Sequence, residues 1–301
     1  MNVLSLFDGL SCGQIALNRI GIEYEKYFAS EIDKDAIKVT MKNYPNTIQL
    51  GDITKINGYD LPQIDLLIGG SPCQGFSFAG KQLNFGDPRS KLFFEFVRLK
   101  NEVKPKYFLL ENVKMKKEYE DVISEHLGVK PIQINSSLVS AQNRVRLYWT
   151  NIPNIEIPKD KGLILKDIIE DLPFNMDREK YSYVSKECLG KSLCHQIGIG
   201  NFKGGNQLKR IYSITGKCPT LTTISGGCQQ KKISNGNGRW KELSPIEYER
   251  LQTVPDNYTE GVKSSSRYTM LGNGWTVDVI AHIFSSLKEN VEKLDFVTNN
   301  N

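Results

Sequence analysis

Short apolar runs that end in a glycine-bearing or acidic turn recur along the first half of the chain. The clearest is the run at residues 64–68, which is followed by Gly69 and Gly70. A run of this length is too short for a helix and predicts a buried strand. The glycines end it because they accept backbone angles that other residues avoid. Helical patterns separate several of these runs, so the alternation predicts an α/β fold. The predicted strands are residues 2–7, 24–30, 48–50, 64–68, 106–110, 132–135 and 146–151.

A cysteine, Cys73, lies in the turn that follows the strand at residues 64–68. Pro72 fixes one backbone angle immediately before it, and open α/β folds bind their ligands at this end of the strands. A cysteine in a loop is usually a structural thiol, so a structural role and a nucleophilic role both stay open at this point. The irregular stretch 74–88 is long for a connection inside a compact domain, and we interpret it as a lid over the turn.

The composition limits the class of protein. With 301 residues, of which 39% are hydrophobic and 24% charged, the chain is typical of a globular protein with one large and one smaller domain. It has no apolar run of about 18 residues, so no membrane-spanning helix is expected. Asp8 interrupts the short apolar start of the chain, so no signal peptide is expected either. Its six cysteines are irregularly spaced and predict reduced thiols and an intracellular location.

A stretch without acidic residues lies in the second half of the chain. No Asp or Glu occurs between Cys188 and Lys241, although the chain has 34 of them. Basic groups without nearby carboxylates attract phosphates, so a surface that faces a polyanion is favoured over an ordinary solvated loop. The basic residues are Lys191, Lys203, Lys209, Arg210, Lys217, Lys231, Lys232, Arg239 and Lys241.

The strand at residues 2–7 runs into a glycine-bearing turn and then a helical pattern, as nucleotide-binding α/β units do. The glycine spacing is not that of the dinucleotide motif, so a nicotinamide cofactor is not favoured. Glu31 and Asp52 each follow a further strand. A carboxylate in the position of Glu31 can accept two hydrogen bonds from ribose hydroxyls, and Asp52 could accept one from an adenine amino group. Each acid alone could be an ordinary solvated residue, but together they indicate an adenosine-type cofactor.

Glu111 and Asn112 follow the strand at residues 106–110. A carboxyl group at the end of a buried strand loses water, so we expect burial to favour its protonated form, although a solvated glutamate is the alternative. Arg144 and Arg146 lie at the start of another strand. Their place at the same edge of the sheet suggests contacts with anions, and an exposed pair is the alternative.

The strand and helix alternation breaks down near Pro153, where we place a domain boundary. We predict a catalytic and cofactor-binding domain over 1–155 and a smaller domain over 156–242. A C-terminal segment over 243–293 returns to the first domain, and 294–301 form a tail. Ser244 and Glu247 make a capping box with Pro245 at the first helical position, which predicts a helix start. A last helix is predicted from the apolar spacing after Val279.

The order of these motifs resembles that of the C5-cytosine DNA methyltransferases, over nearly the whole chain. The segments 5–9 and 92–96 are also similar to those of animal de novo DNA methyltransferases, while the compact size is similar to bacterial and phage enzymes. The resemblance implies a Rossmann-like, S-adenosylmethionine-dependent methyltransferase fold with a mixed, mostly parallel sheet, and it makes 156–242 a target-recognition domain. The motifs that carry it are Phe7-Asp8-Gly9, Glu31, Asp52, Ser71-Pro72-Cys73-Gln74, Glu111-Asn112-Val113, Gln142-Asn143-Arg144-Val145-Arg146 and Gly272-Asn273-Gly274.

The resemblance also implies a reaction. A methyl group passes from S-adenosylmethionine to C5 of a cytosine flipped out of a specific duplex DNA sequence, through a covalent bond between Cys73 and C6, and S-adenosylhomocysteine is left. Glu111 would protonate or hydrogen-bond N3, Asn112 would hold the Cys73 loop, and Arg144 and Arg146 would contact the cytosine and its phosphate. The implied cofactor-binding residues are Phe7, Gly9, Leu10, Glu31, Ile32, Asp52, Ile53, Pro72, Leu92, Asn273 and Trp275. The implied DNA-binding residues are Gln74, Ser77, Lys81, Arg89, Lys209, Arg210, Thr222, Thr223, Gly226 and Gly227.

The implied partner is double-stranded DNA, with a cognate restriction endonuclease as a further candidate. We expect a monomer on DNA, in the cytoplasm of a bacterium that carries the gene itself or on a phage. The spacing of Cys188, Cys194 and His195 fits no ordinary zinc site, so no metal is expected. Two alternatives stay open: an RNA (tRNA) cytosine-C5 methyltransferase of the same fold, and a non-catalytic DNA-binding regulatory relative. The chain departs from many bacterial members at Ser5, Ser11, Cys12 and Trp275.

Overall fold

The computed structural model describes residues 1–72, 88–174, 181–183, 192–200, 205–224, 229–236 and 238–298, without the side chains of 88–90, 181–183 and 289–298. The chain forms two compact units. The first comprises Met1–Ile134, Val145–Ile157 and the residues from Val279 onward, and the second comprises Asn135–Arg144 and Pro158–Asp278. No helix in the described ranges is long and apolar enough to cross a membrane.

The strands and helices are numbered in chain order. The strands are β1 Asn2–Leu6, β2 Lys26–Ser30, β3 Ile48–Gln49, β4 Leu66–Gly69, β5 Tyr107–Val113, β6 Ile132–Asn135, β7 Gln142–Asn143, β8 Val145–Thr150, β9 Tyr181–Tyr183, β10 Gln196–Gly200, β11 Arg210–Ser213, β12 Cys218–Pro219, β13 Lys232–Ser234 and β14 Trp240–Glu242. The α-helices are α1 Cys12–Arg19, α2 Lys34–Asn43, α3 Pro88–Val103, α4 Lys117–Leu127, α5 Pro245–Leu251, α6 Ser264–Asn273 and α7 Val277–Thr298.

A seven-stranded sheet forms the centre of the first unit, in the order β3-β2-β1-β4-β5-β8-β6. β1 pairs in parallel with β2 and with β4. The pairs β2–β3 and β4–β5 are also parallel, whereas β8 runs antiparallel to β5. Every residue of β4 is buried, as expected for a strand of a parallel sheet that is covered on both faces. The predicted α/β fold with a mixed, mostly parallel sheet is confirmed.

Side-chain caps begin α2 and α5, and the helix start that the capping box at Ser244 predicted is confirmed. Asp33 caps α2, where its side chain accepts hydrogen bonds from the backbone amides of Asp35 and Ala36. Ser244 and Glu247 form the capping box at the start of α5, with a backbone-to-side-chain hydrogen bond in each direction, at 3.1 and 2.8 Å. Such caps satisfy amides that the first turn of a helix leaves unpaired, which is why local sequence can predict them.

The second unit contains a five-stranded sheet in the order β14-β13-β11-β10-β9 and the two-stranded pair β12-β7. Ile197, Ile211 and Trp240 form its small apolar cluster. The predicted boundaries differ from this grouping, because residues 243–278 belong to the second unit. Buried polar contacts explain the difference: Glu247 of α5 accepts hydrogen bonds from Lys241 Nζ at 2.6 Å and from the Glu170 amide at 3.0 Å.

Candidate active site

The predicted site residues of the first unit lie along one edge of its sheet. Leu6 at the end of β1 pairs with Ser30 of β2 and with Gly69 of β4. Because these strands are parallel, the residues that follow them leave the sheet at the same edge. β5 ends there, and the antiparallel β8 begins there. The residues that this edge collects are Phe7, Gly9, Glu31, Asp52, Pro72, Glu111, Asn112 and Arg146.

The turn after β1 has an unusual backbone. Phe7, Gly9 and Ser11 have φ angles of 58°, 58° and 60°, a left-handed conformation that costs energy for the two residues other than glycine. Asp8 anchors this turn: its amide donates to the Ser30 carbonyl at 3.1 Å, and the Tyr27 hydroxyl donates to its Oδ1 at 3.0 Å. No role was predicted for Asp8 from the sequence, although an acidic residue between Phe7 and Gly9 at the end of a strand indicates a structural or binding role in the turn.

Burial raises the pKa of the Asp8 carboxyl to about 6, although hydrogen bonds from Ser5, Ser11 and Tyr27 act in the opposite direction. The charge of Glu31 adds to the increase. A carboxyl that loses water favours its neutral form. Asp8 therefore gains a proton within the mildly acidic range.

The carboxylate of Glu31 is held by three backbone amides. Its Oε2 accepts from Gly9 at 2.8 Å, and its Oε1 accepts from Ile32 at 2.7 Å and Asp33 at 2.9 Å. A carboxylate offers about four acceptor positions, so these bonds leave room for roughly one more donor. The side chain of Ile32 beside it is 73% exposed.

Asp52 caps the short 3₁₀ turn Ile53–Lys55. Its Oδ1 accepts from the Thr54 amide at 3.0 Å and the Thr54 hydroxyl at 2.9 Å, and these bonds hold the pKa of Asp52 below its usual range. The side chains of Ile53 and Leu10 are buried, and Leu92 is partly buried against the same core. The side chains of Leu10 and Ile53 therefore offer little surface to a ligand.

Glu111 forms an ion pair with Arg146, whose Nε lies 2.8 Å from Glu111 Oε1. The two side chains are 10% and 13% exposed. Their strands explain the contact: Glu111 pairs with Tyr148 and Val113 with Arg146, so both charged side chains lie on one face of the sheet. This cationic partner of Glu111 was not predicted from the sequence.

Asn112 binds the segment that leads to Cys73. Its Nδ2 donates to Ser71 Oγ at 3.1 Å and to the Ser71 carbonyl at 3.4 Å, and both residues are buried. Its Oδ1 accepts from the Val113 amide at 2.8 Å. Several predicted residues lie outside the described part of the chain: Cys73, Gln74, Ser77, Lys81, the side chain of Arg89, Gly226 and Gly227.

In the second unit, Arg144 is only 2% exposed. Its guanidinium donates to the carbonyls of Leu221 at 3.2 Å, Gly272 at 3.2 Å and Gly274 at 3.0 Å. Arg144 was predicted to contact a cytosine and its phosphate, whereas these hydrogen bonds are with the protein backbone. Asn273 is exposed and Trp275 half-buried on either side of Gly274.

The basic residues of the acid-free stretch divide into two groups. Lys217, Lys232 and Lys241 are buried. Lys217 Nζ donates to the Ser137 and Leu163 carbonyls, both at 2.6 Å, and Lys232 Nζ donates to the carbonyls of residues 208 and 230 at 3.2 and 3.0 Å. Backbone carbonyls thus satisfy Lys217 and Lys232, and the Glu247 carboxylate at 2.6 Å satisfies Lys241. These contacts correct the predicted polyanion-facing surface for the three residues. The predicted DNA-binding residues Lys209, Arg210, Thr222 and Thr223 are at least partly exposed.

Comparisons with known proteins agree with one another. The family model of C-5 cytosine-specific DNA methylases matches residues 1–125 and 129–289. The type II methyltransferase M.HhaI of Haemophilus parahaemolyticus is 30% identical over 94% of this chain and 93% of its own. The type II methyltransferase M1.ScrFI of Lactococcus lactis subsp. cremoris is 30% identical over 97% of this chain and 79% of its own. The solved structure of the Entamoeba histolytica methyltransferase EhMeth has the same fold, with a TM-score of 0.71 at 19% identity over 97% of this chain and 98% of that one. The chain therefore belongs to the C-5 cytosine-specific DNA methylase family and is a DNA (cytosine-5-)-methyltransferase.

Proposed function

We propose that this enzyme methylates C5 of a cytosine flipped out of a specific duplex DNA sequence, through a covalent bond between Cys73 and C6. The observation that carries the proposal is the Glu111–Arg146 ion pair at the edge of the sheet. Asn112 beside it binds Ser71, two residues before Cys73. A nucleophile on that turn would thus lie near a carboxyl group and a guanidinium that can bind a polar ring.

The chemistry explains why these groups are needed together. C5 of cytosine is a poor nucleophile, so the Cys73 thiolate adds to C6 and converts the ring into an enamine. A cysteine with the ordinary pKa of about 8.5 is only a few per cent thiolate at neutral pH, so the site must activate it. Glu111 donates a proton or a hydrogen bond to N3 and stabilises the charge that the attack pushes into the ring. Arg146 orients that carboxyl group.

After addition, C5 takes the methyl group that S-adenosylmethionine supplies, which leaves S-adenosylhomocysteine. A base, which water can provide, removes the C5 proton, the ring double bond re-forms, and the sulfur–C6 bond breaks to return the Cys73 thiolate. A base inside a duplex is out of reach of such a thiolate, so the nucleotide must first leave the helix, at a cost of a few kcal/mol.

The residues after β1, β2 and β3 fit an adenosine-type methyl donor. Glu31 retains roughly one acceptor position for a ribose hydroxyl. The hydrogen bonds from Thr54 to Asp52 use Oδ1, which leaves Oδ2 for an adenine amino group. The exposed side chain of Ile32 offers an apolar surface for a base. Phe7, Pro72, Leu92, Asn273 and Trp275 complete the proposed binding set by resemblance.

Duplex DNA is the proposed substrate, and the exposed residues of the second unit are the proposed reading surface. Lys209 and Arg210 would contact phosphates, and Thr222 and Thr223 would approach the bases. The type II names of the relatives support a cognate restriction endonuclease as a functional partner, and we propose a monomer on DNA.

The test is incubation with S-adenosylmethionine and mixed-sequence duplex DNA, followed by single-base mapping of 5-methylcytosine. Methylation confined to one sequence context supports the proposal, and preferential methylation of tRNA would support the RNA enzyme instead. Cys73→Ser should abolish the product, while Cys194→Ser, at a half-buried thiol of the second unit, should not. DNA binding without any methyl transfer by the wild-type protein would indicate a regulatory relative.

A further inference from the structure

Two accessible segments of the second unit are joined by buried side chains. The recognition segment, residues 220–223, exposes Thr222 and Thr223, and the cofactor segment, residues 272–275, exposes Asn273 and half-exposes Trp275. The proposed function assigns the first segment to DNA and the second to the methyl donor. What lies between them decides whether the two ligands are bound independently.

Gln252 is the centre of the connection and is fully buried. Its Nε2 donates to the Leu271 carbonyl at 2.6 Å and to the Gly274 carbonyl at 3.0 Å. Its Oε1 accepts from Thr276 Oγ1 at 2.8 Å and from Gln142 Nε2 at 3.1 Å. A primary amide has two donors and two acceptor lone pairs, so every hydrogen-bonding position of Gln252 is used. This side chain therefore fixes the backbone of the cofactor segment from one side.

Gln142 and Arg144 extend the network to the recognition segment. Gln142 Oε1 accepts from the Leu221 amide at 3.0 Å, while Arg144 donates to the Leu221 carbonyl at 3.2 Å. The same Arg144 guanidinium donates to the carbonyls of Gly272 and Gly274. The amide of Leu221 is thus held by Gln142, which is bonded to Gln252. The carbonyl of Leu221 is held by Arg144, which is bonded to the cofactor segment.

The two segments also touch directly. A Cβ atom on Gly272 would lie 2.6 Å from the carbonyl carbon and oxygen of Thr222 and 2.8 Å from the Thr223 amide nitrogen. Distances below about 3 Å are clashes with backbone that cannot give way, so only glycine allows this approach. A displacement of the cofactor segment must therefore move the recognition segment or break buried hydrogen bonds.

We infer that Gln252 is a positioning residue that couples the recognition segment to the cofactor segment, so that duplex DNA and the methyl donor each strengthen binding of the other. The inference rests on the proposed function for the identity of the two ligands. It gives Arg144 a positioning role as well, through the Gly274 carbonyl that both side chains bind. Coupling of this kind is reciprocal: the factor by which DNA tightens cofactor binding equals the factor by which cofactor tightens DNA binding.

The experiment measures the Kd of S-adenosylhomocysteine by calorimetry, without DNA and with a saturating duplex that carries the mapped methylation site. The wild-type ratio of the two values should lie in the range of about 5 to 150 that is typical of coupled sites. Gln252→Met keeps the length of the side chain and removes its four hydrogen bonds, so the ratio should fall well below the wild-type value, with Arg144 and the Gly272–Thr222 contact left to carry the remainder. The reverse titration, DNA with and without S-adenosylhomocysteine, should change by the same factor.

Ser213→Ala is the matched control, because the buried Ser213 hydroxyl is hydrogen-bonded to Thr215 Oγ1 at 2.8 Å and to the Thr215 amide at 3.2 Å, neither of which bonds to Gln252, Gln142 or Arg144. It should lower the thermal stability but keep the wild-type ratio. If Gln252→Met does not fold, Thr276→Val, which removes one hydrogen bond to the same amide, should lower the ratio part of the way. A ratio of one in the wild type, or an unchanged ratio in the variants, would overturn the inference and leave the proposed function intact. If the protein bound neither S-adenosylhomocysteine nor the duplex, whether separately or together, both the inference and the proposed function would be overturned.

Discussion

Arg146 Nε lies 2.8 Å from Glu111 Oε1, on the paired strands β8 and β5. The pair lies where the sheet ends and the segment to Cys73 begins, so the carboxyl group has a fixed orientation at this edge. A charge pair that is largely removed from water is sensitive to loss of either partner, since the remaining charge is left without compensation. Loss of either residue should therefore affect both the stability of this edge of the sheet and the proposed reaction.

Glu111→Gln should slow methyl transfer about 10²- to 10⁴-fold, because an amide cannot supply a proton to N3. The Kd of S-adenosylhomocysteine should stay unchanged. The control is Asp121→Asn, at an exposed ion pair with Lys117, which should leave the rate unchanged. Single-turnover kinetics on duplex DNA measure the effect, and a wild-type rate in Glu111→Gln would contradict the proposed role.

Asp8 predicts a pH dependence of stability. Its pKa is raised to about 6 in the folded protein by burial, from an ordinary value of 3.8. Between these values the folded state binds more protons than the unfolded state, so the free energy of unfolding falls as pH rises through this window. At about 1.4 kcal/mol per pKa unit, the difference amounts to roughly 3 kcal/mol at most.

Asp8→Asn keeps an acceptor for the Tyr27 hydroxyl and removes the ionisable group, so it should be more stable than the wild type at pH 7 and closer to it at pH 4. Urea unfolding at several pH values measures this difference. Subtracting the unfolding free energies of the two proteins at each pH cancels the contributions of the other titrating groups. Parallel pH profiles for the two proteins would refute the prediction.

The buried and exposed basic residues of the second unit should behave in opposite ways. Lys217→Met leaves buried carbonyls unpaired and should cost about 1 to 3 kcal/mol of stability, while the dependence of DNA affinity on salt stays as in the wild type. Arg210→Ala should leave stability unchanged and lower the slope of log K against log salt by about one, as for one lost phosphate contact. Titrations at several salt concentrations and thermal unfolding separate the two; a lower slope in Lys217→Met would contradict the assignment.

This division of the lysines shows where sequence reasoning reaches its limit. A run without acidic residues predicts a positive surface whose charges have no nearby partners. In the folded chain, however, backbone carbonyls distant in sequence accept hydrogen bonds from the Lys217 and Lys232 ammonium groups. The same holds for Glu111, whose partner Arg146 is set by strand pairing. The strands of the second unit were not predicted either, because they are two to five residues long, which is too short for a period to emerge.

What the sequence predicted well depends on local physics. β4 is an uninterrupted buried run, and the cap of α5 needs only residues within one turn. The positions of Glu31 and Asp52 followed from parallel strands that end at one edge. The positive φ angles of Phe7 and Ser11, and the buried Asp8 that holds them, arise from tertiary contacts and could not be derived in this way.

Asn112 should matter through the position of the Cys73 turn rather than through chemistry of its own. Asn112→Ala removes both hydrogen bonds to Ser71 and lets the segment to Cys73 shift. Because a displacement of about 1 Å can reduce a rate about 10²-fold, methyl transfer should slow by that order while cofactor affinity is kept. Asn151→Ala is the control, since Asn151 also binds backbone, at Lys106 and Phe108, away from this edge. Trapping of the covalent complex with 5-fluorocytosine DNA should slow in Asn112→Ala alone, and equal trapping rates in both variants would rule out the positioning role.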